Sequence, residues 1–179
     1  MPYIKLERKQ LEILPLSERK HKMTVDDIYQ LDSEIPPYEN KYLDILTDRI
    51  ISARRNSNQV IWMMGAHVIR RGNSRYIIDL MKRGVITHVA TNGAGAIHDF
   101  ELALIGASLE DVEFYIKDGK FGNWEETGRY INEAIIRGNE DKLGYGESIG
   151  RMIELQENVS FPHRDISVFA AAYRLKVPI

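Results

Sequence analysis

VITHVATNGAGAIHDFELALIG, from Val85 to Gly106, joins an apolar strand-like run to a glycine turn and a helical pattern. Val85–Thr91 is short, rich in β-branched residues and free of Asp, Glu, Lys and Arg. That composition predicts a strand covered on both faces. Asn92-Gly93-Ala94-Gly95-Ala96 follows at once, and such small residues let backbone N–H groups approach a ligand closely. Asp99–Ile105 then carries a helical pattern, with Phe100, Leu102, Ala103, Leu104 and Ile105 as its apolar side. A glycine turn between strand end and helix start suits an anionic or dinucleotide ligand. A tight structural turn fits the same residues. The pattern reads GAGAIH, so His98 stands where the dinucleotide fingerprint has its third glycine. The region where a ribose-binding acid would end a second strand reads as helix.

Working outward, Gln59–Met64 (QVIWMM) reads as a second buried strand, and Gly65-Ala66-His67 leaves its end as the glycine turn leaves the other. A helix is expected from Ser74 to Arg83, with Tyr76, Ile77, Leu80 and Met81 inward and Gly84 as its stop. Residues 59–91 therefore form a predicted βαβ unit, whose strands lie side by side, parallel, with a right-handed crossover. His67, at a strand end, either faces the ligand crevice or bonds to its own turn. His88 reads as a core histidine, and His67, His88, His98 and His163 show no metal-ligand spacing.

Pro36-Pro37 marks a boundary, because proline lacks an N–H and restricts its predecessor. Residues 1–37 are read as an N-terminal arm and 38–179 as one domain. Within the arm, Arg19-Lys20-His21-Lys22 is a basic cluster, read as a solvated face with phosphate contact as the other reading. A short helix is expected from Thr24. Tyr38–Arg55 predicts a helix whose stripe is Tyr42, Leu46, Ile50 and Ala53. Downstream, helices are expected over Ser108–Gly119 (with Ser108 and Asp111 as a capping arrangement), Trp124–Arg137, Met152–Leu155 and Asp165–Leu175, with a loose 144–150 segment between. Glu126 and Glu133 read as surface charges. Lys176–Ile179 reads as the start of another strand.

The 179 residues are 44% hydrophobic and 28% charged, an ordinary globular balance. A formal net charge of −2 argues against nucleic acid or an anionic membrane as partner. There is no cysteine, hence no disulfide, thiolate nucleophile or cysteine metal site, which fits a cytoplasmic protein. Lys5, Glu7, Arg8 and Lys9 interrupt the first residues, so no signal-peptide core is expected, and no apolar run is long enough to span a bilayer.

GAHVIRRG at Gly65–Gly72, TNGAGAIHD at Thr91–Asp99 and DISVFAAAYRLKVPI at Asp165–Ile179 together resemble the deoxyhypusine synthase family, particularly its bacterial relatives. The resemblance implies a Rossmann-like parallel sheet flanked by helices, an NAD cofactor and a homotetramer. It also implies transfer of an aminobutyl group from a polyamine to a protein lysine or a free amine. By position, one NAD loop falls on Ala66, His67, Val68, Ile69 and Arg70, and the other on Asn92, Gly93, Ala94 and Gly95, with His98 and Asp99 toward the substrate. Where the family has paired glutamates this chain has Ile97 and His98, and a buried ammonium needs carboxylates, so a smaller or differently charged amine is implied. The family's imine-forming lysine would lie beyond Ile179. The domain is thus read as incomplete at its C-terminal end, and the chain alone as inactive. Two other readings stand beside this one: a non-catalytic nucleotide-binding or assembly module, and a Rossmann-like hydrolase or isomerase.

Overall fold

A computed structural model describes the whole chain except Met1, Pro2, Ile4 and Leu6, and the side chain of Arg8. The expectation of no signal-peptide core falls partly on those residues, outside the described part. In chain order the elements are β1 (His21–Thr24), α1 (Leu43–Arg55), β2 (Ile61–Met63), α2 (His67–Arg70), α3 (Ser74–Lys82) and β3 (His88–Ala90). There follow α4 (Gly93–Ile105), β4 (Ala107–Glu110), α5 (Val112–Tyr115), α6 (Glu125–Glu140), α7 (Tyr145–Leu155) and α8 (Val168–Leu175).

The chain is a mixed helix and strand fold with small sheets. β2 and β3 pair in parallel, Ile61 opposite His88 and Met63 opposite Ala90. Val89 N–H also donates to the Pro178 carbonyl at 2.9 Å, so the segment after α8 lies along the free side of β3. Trp62 and Val89 point to the face packed by α3 and α8, where Ile77, Ile78, Met81, Val168 and Ala171 complete a core. The other face is bare: Met63 is 80% and Ile61 58% exposed. The expected parallel sheet covered by helices on both faces is therefore corrected to a two-stranded pair covered on one. The reason lies in α1, which forms as its periodicity predicts but buries no residue. It is tied down instead by Arg54, whose guanidinium donates to the carbonyl of Gly84 at 2.8 Å and to that of Asn58.

The second sheet joins the N-terminal segment to the middle of the chain. β1 runs antiparallel to β4, Met23 opposite Ser108. The predicted arm is thus built into the fold, with Leu16, Met23 and Ile28 all in the core. The expected helix at Thr24 is a strand end followed by a single 3-10 turn, in which Asp27 accepts from Thr24 N–H at 2.8 Å. The expected Ser108–Gly119 helix is likewise corrected: Ser108 lies in β4, and Asp111, two turns' worth of chain before Gly119, caps the short α5 through Phe114 N–H.

α4 is the central element. It begins at Gly93, so the glycine segment is the first turn of the helix and not a loop ahead of it. Eight of its thirteen residues are buried, because it packs on α2, α6, α7 and α8 and leads directly into β4. Phe100 meets Phe161 edge-on at 5.3 Å, beside Trp124, Met152 and Phe169. Burial of its apolar residues on several sides at once stabilises the fold. The loose 144–150 segment is the first part of α7. Among the described residues no helix is long and apolar enough to cross a membrane.

Candidate functional site

The C-terminal ends of β2 and β3 lie side by side, so the two turns that leave them meet. A Cβ built on Gly65 would sit 3.9 Å from Asn92 Nδ2, which places the first turn against the second. Asn92 caps α4: its Oδ1 accepts from Gly95 N–H at 3.0 Å. The amides of Gly93 and Ala94 make no hydrogen bond among the described residues. They stand at the positive end of the α4 dipole, on an exposed surface. A Cβ on Gly93 would meet only the Tyr145 hydroxyl, at 4.0 Å, so the space above these amides is open. Tyr145, from the start of α7, is a wall residue that sequence reasoning missed; burial raises its phenol above the ordinary value.

The expected nucleotide residues divide. Gly65 meets Asn92 where the two turns approach, Ala66, His67, Gly93 and Ala94 follow them directly along the chain, and His67 is exposed. Ile69 is fully buried against Met23, Ile28, Leu102 and Ile166, and Val68 packs under the parallel pair, so their side chains belong to the core. Gly95 is buried, and a Cβ there would run into Thr91 Oγ1. Its lack of a side chain serves the turn's own packing, which corrects its reading as a residue for close ligand approach. Thr91 Oγ1, at the end of β3, is buried without a partner.

Asp99 is fully buried. Its carboxylate accepts from Ser167 Oγ at 2.5 Å, Val168 N–H at 2.7 Å and Phe169 N–H at 3.2 Å, so it caps the N-terminus of α8. Burial pushes its pKa up to about 6, against the pull of those three donors. Its reading as a substrate residue is therefore corrected to a structural one.

His98 lies elsewhere, on the wall of a cavity of about 390 Å3 that runs along α4. Arg70, Ala94, Ile97, Glu110, Phe121 and Trp124 also line it, so it adjoins the crevice through Ala94 and Arg70. Behind His98 is a buried polar chain. Glu101 accepts two hydrogen bonds from Arg19, at 2.8 and 2.6 Å, one from Thr127 Oγ1 at 2.8 Å and one from Ser108 Oγ at 2.8 Å. Ser108 Oγ in turn lies 2.6 Å from His98 Nδ1. Burial lowers the His98 pKa; Glu101 opposes the shift, while Arg70, Arg19 and His67 reinforce it. Glu110 accepts from Trp124 Nε1 at 2.5 Å and Gly122 N–H at 3.0 Å, and burial raises its pKa. The basic cluster is thus not a uniformly solvated face, since Arg19 is its buried anchor. No group of three or more metal-ligating side chains occurs among the described residues.

No family model matches the chain, and no curated protein does. A solved structure similar to it is apo ArgZ, an arginine dihydrolase from the ornithine-ammonia cycle in cyanobacteria, at 16% identity and a TM-score of 0.49. The match covers 80% of this chain and 18% of that one, so the chain spans about a fifth of the length of the protein it is compared with. These findings correct the expected membership of the deoxyhypusine synthase family, which none of them returns. The motifs that carried the resemblance have local physical reasons. Val68 and Ile69 are core residues, Gly95 makes room for Thr91, and Asp99 ties the second motif to the third by capping α8.

Proposed function

We propose that the crevice between Gly65–His67 and Asn92–Ala94 binds a nucleotide of the NAD type through its phosphates, and that the parallel pair with its flanking helices is a small Rossmann-like nucleotide-binding unit. One observation carries this reading. Two turns from the C-terminal ends of neighbouring parallel strands converge, and the amides of Gly93 and Ala94 are left there without partners among the described residues. Ligands of α/β sheets bind at such a place, and unpaired amides at a helix N-terminus suit an anion. The residues present fit the phosphates better than the ribose. After α4 the chain enters β4, which joins the other sheet, so a following parallel strand supplies no acid for the sugar hydroxyls. A bound nicotinamide nucleotide would supply hydride transfer; the chain's part is to bind and orient it. Amine transfer had its support in the family resemblance and forms no part of this reading.

Titration calorimetry with NAD and with ADP tests the proposal. Both are expected to bind, since both carry a diphosphate. Gly93→Glu puts a carboxylate over the two amides and is expected to weaken binding at least tenfold without changing the unfolding midpoint. Equal affinity in that variant, with the fold intact, would place the nucleotide elsewhere.

A further inference from the structure

The cavity beside α4 is a second site, and its chemistry follows from counting hydrogens. The Glu101 carboxylate accepts four hydrogen bonds, from Arg19 Nη1, Arg19 Nη2, Thr127 Oγ1 and Ser108 Oγ. An ionised carboxylate has about four acceptor positions, so it is filled. Ser108 has one hydroxyl hydrogen, and Glu101 takes it. Ser108 Oγ is then the acceptor toward His98, and the 2.6 Å contact requires the hydrogen to sit on His98 Nδ1. A neutral ring with Nδ1–H carries its lone pair on Nε2. That nitrogen makes no hydrogen bond among the described residues, and it is not among the buried polar atoms closed off without a partner. Nε2 is thus the ring's free acceptor, and His98 lines the cavity.

The wall around it adds a second requirement. Arg70 also lines the cavity; its Nε is buried without a partner, and its guanidinium makes no ion pair among the described residues. An unpaired guanidinium asks for an anion, and carboxylates are its usual planar match. Ile97, Phe121 and Trp124 supply an apolar wall. The volume of about 390 Å3 suits a small organic molecule.

We propose that this cavity binds a small organic carboxylate that also carries an O–H or N–H donor beside the carboxylate. Arg70 holds the carboxylate and His98 Nε2 accepts from the donor. Ser108 and Glu101 are positioning residues, which hold His98 in the Nδ1–H form through a chain anchored by Arg19. The site stands on its own geometry and does not require a nucleotide in the neighbouring crevice.

Long-range 1H–15N spectra of the imidazoles in the whole chain are the test. In the free protein His98 is expected to show a protonated Nδ1 and an unprotonated Nε2. Ser108→Ala removes the acceptor for Nδ1–H and is expected to shift His98 toward the Nε2–H form. A free protein that already holds the proton on Nε2 overturns the proposal. The ligand probes are lactate, alanine and propionate, which share a skeleton and differ in the donor. Saturable change at the His98 Nε2 resonance is expected with lactate (a hydroxyl source), with alanine (an ammonium source), or with both. Propionate is expected to bind at least tenfold more weakly, and Arg70→Gln to abolish the change. Silence from lactate and alanine, propionate binding as well as they do, or full binding by Arg70→Gln would each refute it.

Discussion

Replacing Glu101 by alanine is expected to cost about 4 kcal/mol of stability, in the middle of the range for breaking a buried pair. The figure follows from what is left behind. The Arg19 and Glu101 side chains are 3% and 1% exposed and meet in a two-pronged contact. Without the carboxylate, a guanidinium and the hydroxyls of Ser108 and Thr127 lose their acceptor inside the protein. Removing one member of such a pair leaves an uncompensated charge, at about 3–5 kcal/mol, and each orphaned hydroxyl adds up to about 1–3 kcal/mol less whatever water recovers. The Trp124 ring under Arg19, 5.5 Å from its guanidinium carbon, offsets only part of that. Urea unfolding followed by tryptophan fluorescence is the assay, since urea leaves ionic strength unchanged. The double variant Arg19→Met with Glu101→Leu replaces both charges by apolar groups and is expected to lose much less than Glu101→Ala alone. A loss below about 1 kcal/mol for Glu101→Ala would rule out an uncompensated buried charge, as would a double variant less stable than the single one.

Two further outcomes are expected. Asp99 has its pKa raised in the fold, so its stabilising form is the protonated one. That contribution is complete below the unfolded value of 3.8 and is lost as pH rises through about 6. Relative to Asp99→Asn, the natural protein should therefore gain about 1.4 kcal/mol in urea unfolding between about pH 7.5 and about pH 5; a difference flat with pH would contradict the burial argument. Gly95→Ala should destabilise by about 1–2 kcal/mol through its collision with Thr91, although alanine is the better helix former. Gly128→Ala, in α6 with nothing nearby, should stabilise by about 0.5–1 kcal/mol, and thermal melts of the two variants should move in opposite directions.

The parts legible in the sequence are those governed by neighbours along the chain. Strand, helix and strand over residues 59–91 follow from short apolar runs around an amphipathic segment, and the parallel pairing of β2 with β3 follows from their connection. Exposure was not legible: the same apolar residues that predict a covered strand leave Met63 in solvent, because periodicity names a face without naming what packs on it. The polar chain was hidden for a related reason. Arg19 read as one of four basic neighbours, and its partner is 82 residues away. A signal did exist in Glu101, a carboxylate inside the apolar run Phe100–Ile105, where burial without a cation would be costly. Glu126 read as a surface charge yet accepts from Leu16 N–H at 2.6 Å, anchoring the N-terminal segment on α6. Ser108 read as a helix cap because the capping pattern is local, whereas pairing with β1 is not. Tyr145 could not be assigned to the crevice, since only tertiary packing brings α7 beside Gly93.

If the unpaired amides at the start of α4 hold nucleotide phosphates, backbone amide NMR reads those groups one by one. With NAD added to the labelled chain, the resonances of Gly65, Gly93 and Ala94 are expected to move together and saturate at one affinity, while those of Gly84 and Gly119, in open turns elsewhere, stay in place. Saturable shifts confined to other residues, or none at Gly93 and Ala94, would contradict phosphate binding at those amides.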